Sequence, residues 1–193
     1  MKSWIETRAA AVVRAQGLRR NRVGVEPADE SAARILDVVD RHLRKNLCTF
    51  VTAGPDGPTA RIVMPLAPTP DRCIHIATAP TSTKARQAAA TGRAVLLYSA
   101  GMSSAVTAYC STETLDDPTE RRRWWRPLFS AYWPDGPGAD SYTVIRCRPD
   151  AFEVFAPGAG VGPAPHGLRA GRIERDHDRW RLAVPTTGPT GAD

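Results

Sequence analysis

Leu47-Cys48-Thr49-Phe50-Val51-Thr52-Ala53-Gly54-Pro55-Asp56-Gly57-Pro58-Thr59-Ala60-Arg61-Ile62-Val63-Met64 reads as two extended arms around a tight turn. Residues 47–52 are a short run of apolar and threonine residues that reads as a strand, and the Ala-Gly-Pro-Asp-Gly-Pro cluster at 53–58 breaks that run. Thr59 to Leu66 then returns as the second arm, so the stretch is a β-hairpin ended by Pro65, Pro68 and Pro70.

Strand-like runs continue downstream. Arg72 to Thr78, Ala94 to Ser99 and Ser104 to Thr114 read as three more strands, interrupted by a helix over Ser82 to Thr91. Asp116-Asp117-Pro118-Thr119-Glu120 has the acidic residues and early proline of another helix start, leading into Arg121 to Trp125 and, past Pro127, to Phe129, Tyr132 and Trp133. Ser141 to Arg148 and Ala151 to Phe155 are expected as two strands joined at Pro149-Asp150. A final short hairpin is expected over 169–174 and 179–184.

Upstream the period changes. Ile35, Val38, Val39 and Leu43 recur at helical spacing over 31–46, Asn21 to Asp29 is a linker, and residues 2–20 carry a weaker amphipathic pattern. The organisation expected is therefore a basic helical extension over 1–30, one domain over 31–185 and a disordered tail over 186–193. That domain is mainly β with peripheral helices. Many short antiparallel strands point to a closed β-barrel, since a sheet of this kind must hide its edges.

Composition narrows the function classes. With 42% hydrophobic and 24% charged residues the chain has globular composition, and no apolar run is long enough to cross a bilayer. Arg8 and Arg14 interrupt any signal-like segment, so the expected location is the cytoplasm and no membrane partner is expected. Much of the net charge of +6 sits in the first 22 residues. No nucleic-acid-binding motif follows that arm, which favours contact with a partner subunit over nucleic acid. Cys48, Cys73, Cys110 and Cys147 are too far apart for a zinc set and read as buried thiols. His42, His75, His166 and His177 have no metal spacing, and no metal is expected. His75 reads as a satisfied structural histidine, the alternative being a place facing the ligand site from its strand. The aromatic run at 124–133 reads as core or dimer interface.

Ser82 suits the N-cap of the helix that follows, and capping alone would explain it. Lys84 does not suit its place, because a helix N-terminus carries partial positive charge and favours anions. A lysine on that first turn, with Arg61 on a neighbouring strand, asks for an anion, and a phosphate fits exposed backbone N–H groups.

The ordered series of Pro-Asp-Gly hairpin, Arg61 strand, strand ending at Thr78, Ser82-Thr83-Lys84 helix start and following strand resembles the pyridoxamine 5′-phosphate oxidase-like superfamily of FMN-binding split β-barrels, over about residues 34–155. Trp124, Tyr132-Trp133-Pro134-Asp135-Gly136, Tyr142 to Pro149 and Glu153 are similar to its general stress protein 26-like branch. The resemblance implies FMN as cofactor, with Arg61 and Lys84 on its phosphate and Ser82 and Thr83 assisting. Ile62, Val63 and Met64 would lie along the flavin and Thr78 on its far side. It implies a homodimer whose interface completes each site, with the segment 118–133 reaching across.

Several positions depart from the family pattern. Pro65-Leu66 stands where pyridoxamine phosphate oxidases carry a lysine, Val106 where they carry a glutamine, and Phe155 where they carry a tryptophan. Their C-terminal substrate motif is replaced by His166-Gly167-Leu168-Arg169-Ala170, in which His166 and Arg169 are candidates for contact with another substrate. The function expected is thus an FMN-dependent oxidoreductase acting on a small cyclic or heteroaromatic molecule other than pyridoxamine phosphate, with no side chain assigned as acid or base. The alternatives are a non-catalytic flavin store or sensor, or the same barrel holding the deazaflavin F420 or haem.

Overall fold

A computed structural model describes residues 26–45, 47–101, 103–161, 170–177 and 179–183. The basic arm over 1–25, the positions of His166 and Arg169, and the tail over 186–193 lie outside the described residues.

The elements run β1 (Glu26–Pro27), α1 (Glu30–Leu43), β2 (Cys48–Gly54), β3 (Gly57–Val63), β4 (Ile74–Thr78), α2 (Thr83–Thr91), β5 (Arg93–Ala100), β6 (Ser104–Leu115), α3 (Pro118–Arg123), β7 (Thr143–Phe155), β8 (Gly171–Asp176) and β9 (Arg179–Leu182). Short 3-10 turns cover Pro127–Ala131 and Pro157–Ala159. Pro127 ends the helical run that begins at Pro118, because it supplies no backbone N–H and disfavours helix at the residue before it.

The expected hairpin is β2–β3, closed by the Gly54–Gly57 pair. Pro55 presets a negative φ for the turn, and Gly57 takes φ +102°, which a residue with a Cβ rarely adopts. The strands are ordered β1-β9-β8-β7-β6-β5-β2-β3, and β4 pairs separately with β7. Strand β7 is where the sheet divides. Its first half carries β4 (Ile74–Thr78 against Thr143–Cys147) and its second half carries β8 (Ala151–Val154 against Gly171–Glu174).

The split barrel is as expected, and two details change. The sheet is not closed: among the described residues a single backbone hydrogen bond, Leu66 N–H to His75 O at 2.8 Å, spans the gap between the β3 side and β4. The prolines at 65, 68 and 70 withhold the donors that a continuous ladder there would need. The two strands expected on either side of Pro149-Asp150 are one 13-residue strand. Asp150 is the extra residue of a β-bulge opposite Tyr109 and Cys110, which is how a proline is tolerated in a central strand. The bulge aims the Asp150 carboxylate at Ser111 Oγ (2.6 Å) and Arg93 Nη1 (2.9 Å).

Helix α1 is capped by Asp29, whose side chain accepts from Ala32 N–H at 2.8 Å. Its buried face of Ile35, Leu36, Val38, Val39 and Leu43 packs on β5 to β9. The main core joins that face to Phe50, Leu96, Tyr98, Phe152 and Trp180, all buried. A second cluster forms on the other face of β7, where Leu115, Tyr142 and Val144 meet Trp124, Trp125, Phe129 and Trp133. The aromatic run is therefore packing, as expected, with Trp125, Phe129 and Trp133 arranged edge-on around each other and Tyr142. All four cysteines are free and buried.

Candidate functional site

Alternation along β3 divides its side chains between two faces. Arg61 lies opposite Phe50 in the hairpin and shares its face with Val63, whereas Ile62 points the other way. Val63 joins the core, so only its backbone is available to a ligand. Ile62 and Met64 remain 72% and 60% exposed, a large apolar exposure for one short segment.

Helix α2 covers the Arg61 face. Arg61 Nη1 donates to Thr52 Oγ1 at 2.6 Å, and Nη2 donates to Gln87 Oε1 at 3.2 Å. Thr52 Oγ1 donates in turn to Gln87 Oε1 at 2.6 Å, and Gln87 Nε2 donates to Thr59 Oγ1 at 3.3 Å. The guanidinium is thus oriented by neutral groups and meets no carboxylate among the described residues. Gln87 fits because Gly54 has no side chain; a Cβ there would overlap its amide.

The start of α2 supplies the second cation. Ser82 caps the helix, its Oγ accepting from Ala85 N–H at 3.3 Å, and it also hydrogen-bonds the buried Thr78 hydroxyl at 3.0 Å. Gly92 ends the helix in the left-handed conformation, with its N–H on Ala88 O. Its first turn contains no acidic residue. Lys84 makes no hydrogen bond or ion pair among the described residues. Burial, and then the nearby charge of Arg61, hold the Lys84 ammonium below the usual lysine range. Burial also lowers the Arg61 guanidinium. Two cations that destabilise each other, at the positive end of a helix, form a site that an anion would relieve.

Of the residues expected from the sequence, Arg61 lies near enough for its charge to help lower the Lys84 ammonium, and Thr78 and Ser82 form a hydrogen-bonded pair. Thr83 is exposed at the first helical position. Ile62 occupies the opposite face of β3, and Met64 follows the end of that strand and is exposed. Thr52 and Gln87 are additions. Gln87 lies three residues after Lys84 on the same helix face, and Thr52 is the diagonal cross-strand neighbour of Arg61, so the spacing rules for helices and hairpins contain both signals.

His75 corrects another expectation. It is buried, yet among the described residues neither ring nitrogen has a hydrogen-bond partner, so it is not the satisfied core histidine expected. Among the described residues no group of His, Cys, Asp and Glu could hold a metal ion, and no helix is long and apolar enough to cross a membrane.

A family model described as pyridoxamine 5′-phosphate oxidase matches residues 37–155. No curated protein matches the chain. Among solved structures, a protein related to general stress protein 26 from Clostridium acetobutylicum is similar at a TM-score of 0.56 and 16% identity, over 66% of this chain and 91% of that one. PhzG from Burkholderia lata 383, in complex with tetrahydrophenazine-1-carboxylic acid, is similar at 0.55 and 19%, over 78% and 88%. A pyridoxamine 5′-phosphate oxidase-related, FMN-binding protein from Nostoc punctiforme is similar at 0.51 and 14%, over 96% and 98%.

Proposed function

Because this chain belongs to the pyridoxamine 5′-phosphate oxidase family, we propose that it binds FMN through the cations at the start of α2 and serves as a flavin-dependent oxidoreductase. The observation that carries the reading is the uncompensated approach of Lys84 and Arg61 at a helix N-terminus. A phosphate dianion supplies the missing charge there. Ser82 and the unpaired N–H groups of the first turn supply the donors. Residues Thr52 and Gln87 hold the guanidinium in place before any ligand arrives, which reduces the ordering that binding would require.

Bound flavin would supply hydride or electron transfer to the site. The chain's own part is binding and placement. Thr78 and Ser82 fix the path from β4 into α2, and the backbone of Ile62 to Met64 offers an extended edge beside the cradle. None of these side chains is a strong acid or base, and none is needed as one for the flavin to accept hydride.

The same reading includes a homodimer. Strand β3 pairs only with β2 among the described residues, and Ile62 and Leu97 flank Thr49 in one row on its outer face. Together with Met64 this is an exposed apolar patch on an unpaired edge, and a second copy of the chain would cover it. The substrate class proposed is a small cyclic or heteroaromatic molecule other than pyridoxamine phosphate. It rests on the departures at Leu66, Val106 and Phe155, and on PhzG, whose related fold is solved with tetrahydrophenazine-1-carboxylic acid.

The test is direct. Purified protein should carry a yellow chromophore that is released as FMN on denaturation, or should quench FMN fluorescence on titration. A colourless protein with no effect on FMN emission removes the proposal. Oxygen consumption by the reduced holoprotein that depends on an added heterocycle would establish turnover, whereas an inert flavin would indicate storage.

A further inference from the structure

A second cavity, of about 510 Å³, lies on the outer face of β4 and β7 beside the end of α3. His75 and Trp124 line it, and three buried polar atoms of these residues have no partner among the described residues: both ring nitrogens of His75 and the indole N–H of Trp124. The two rings stack with centroids 3.5 Å apart and planes 16° from parallel. His75 is only 1% exposed and Trp124 only 8%. Leaving a buried donor or acceptor unmade is costly, and three together at one cavity point to a molecule that supplies the missing bonds. Burial, assisted by Arg146 and Arg123, lowers the His75 pKa to about 4. The imidazole is therefore neutral at pH 7 and offers one donor and one acceptor.

Charge on the cavity wall is divided. The register places His75 beside Arg146 and Arg146 beside Glu113. Arg146 is shared between Glu113 (3.0 Å) and Glu120 (2.9 Å), so that trio has a surplus negative charge, and Asp71 adds another. Arg123 and Arg148 line the same cavity with no carboxylate in ion-pair range among the described residues. Arg123 lies over the Trp124 ring at 5.8 Å. A simple anion would meet three carboxylates here, and a simple cation three guanidinium groups. A molecule with both charges meets neither penalty.

We propose that this cavity is a binding site, separate from the Arg61–Lys84 cradle, for a small zwitterion of the amino-acid class. Its carboxylate pairs with Arg123 and Arg148, its ammonium with the acidic side of the wall, and its polar atoms with His75 and the Trp124 indole. Because the two rings now cover each other, Trp124 moves off His75 as the ligand enters. The site does not depend on flavin binding.

The experiment titrates the full chain with each common L-amino acid by calorimetry, up to about 10 mM. The tightest binder is then compared with its deaminated hydroxy acid and its decarboxylated amine. Each analogue should bind at least about tenfold more weakly. His75→Phe, and the double variant Arg123→Ala with Arg148→Ala, should show a similar loss while keeping the parent's FMN affinity. The surface double variant keeps the test valid if His75→Phe does not fold. Conversely, Arg61→Ala should lose FMN and keep the amino acid, so failure of one site is distinguishable from failure of the other. Absence of binding by every amino acid, equal affinity for a singly charged analogue, or undiminished binding to the double variant overturns the proposal.

Discussion

Arg61 Nη1 sits 2.6 Å from Thr52 Oγ1, an interaction made across the β2–β3 hairpin between diagonal neighbours. The threonine hydroxyl passes the contact on to Gln87 in α2, so one hydroxyl links the hairpin, the arginine and the helix. Thr52→Val keeps the β-branched shape and deletes only that hydroxyl. A lost hydrogen bond to a charged group costs about 1–3 kcal/mol, which should appear as a lower urea midpoint and weaker FMN binding. FMN affinity equal to the parent's would show that Arg61 is oriented without Thr52.

Lys84→Met and Arg61→Met should separate function from stability. Each removes one of two mutually repelling, partly buried cations, so the ligand-free protein should be no less stable in the lysine variant. FMN affinity should fall by about 1–3 kcal/mol in each. A lysine variant that unfolds more easily yet binds FMN normally would make Lys84 structural.

Gly54→Ala tests the cradle from behind. The added methyl overlaps the Gln87 amide, a flexible group that can swing away. Stability should change little, by about 1 kcal/mol or less. FMN binding should weaken because Gln87 releases Arg61 and Thr52. Unchanged FMN binding would remove Gln87 from the site.

The patch on β3 predicts an assembly. Ile62→Asp combined with Met64→Asp places two charges on the exposed edge without touching the core. The variant should sediment as a monomer at concentrations where the parent is a dimer, with the dimer constant weakened by at least about a hundredfold. A parent that is already monomeric would discard the dimer.

His75 makes a pH prediction with a definite sign. Its pKa is depressed from 6.5 to about 4, mainly by burial. Between those values the unfolded chain takes up a proton that the folded protein refuses, so stability declines as the pH falls from 6.5 towards 4 and this contribution levels off below that. The full span is on the order of 3 kcal/mol. His42 is lowered in the same direction, also by burial, so it adds to the same acid sensitivity. Urea unfolding of His75→Phe should be measurably less pH-dependent in that window; an identical profile would show that His75 titrates normally.

Much of the candidate site is proposed from signals that are local. The Pro55-Asp56-Gly57 turn defines the hairpin, Ser82 defines the helix start, and Lys84 contradicts the dipole of the helix it opens. Thr52 and Gln87 are harder to see, because their importance depends on which strand α2 covers. The 118–133 aromatic run was readable as packing, yet its partner, the outer face of β7, was not. His75 illustrates the limit: its spacing suggests an ordinary strand residue, and only the Trp124 ring stacked on it leaves its nitrogens without partners.

The order of elements, the hairpin turn, the caps of the helices and the placing of Lys84 on the first turn of α2 follow from amino-acid identity alone, since each depends on residues a few positions apart. The split of the sheet at β7, the bulge at Asp150, the closeness of Arg61 to Lys84 and the cavity beneath Trp124 depend on strands that meet across long stretches of chain. Short-range sterics and hydrogen bonding encode the first group. The second arises from packing two apolar faces of one strand at once, a constraint that exists only when the whole chain is folded.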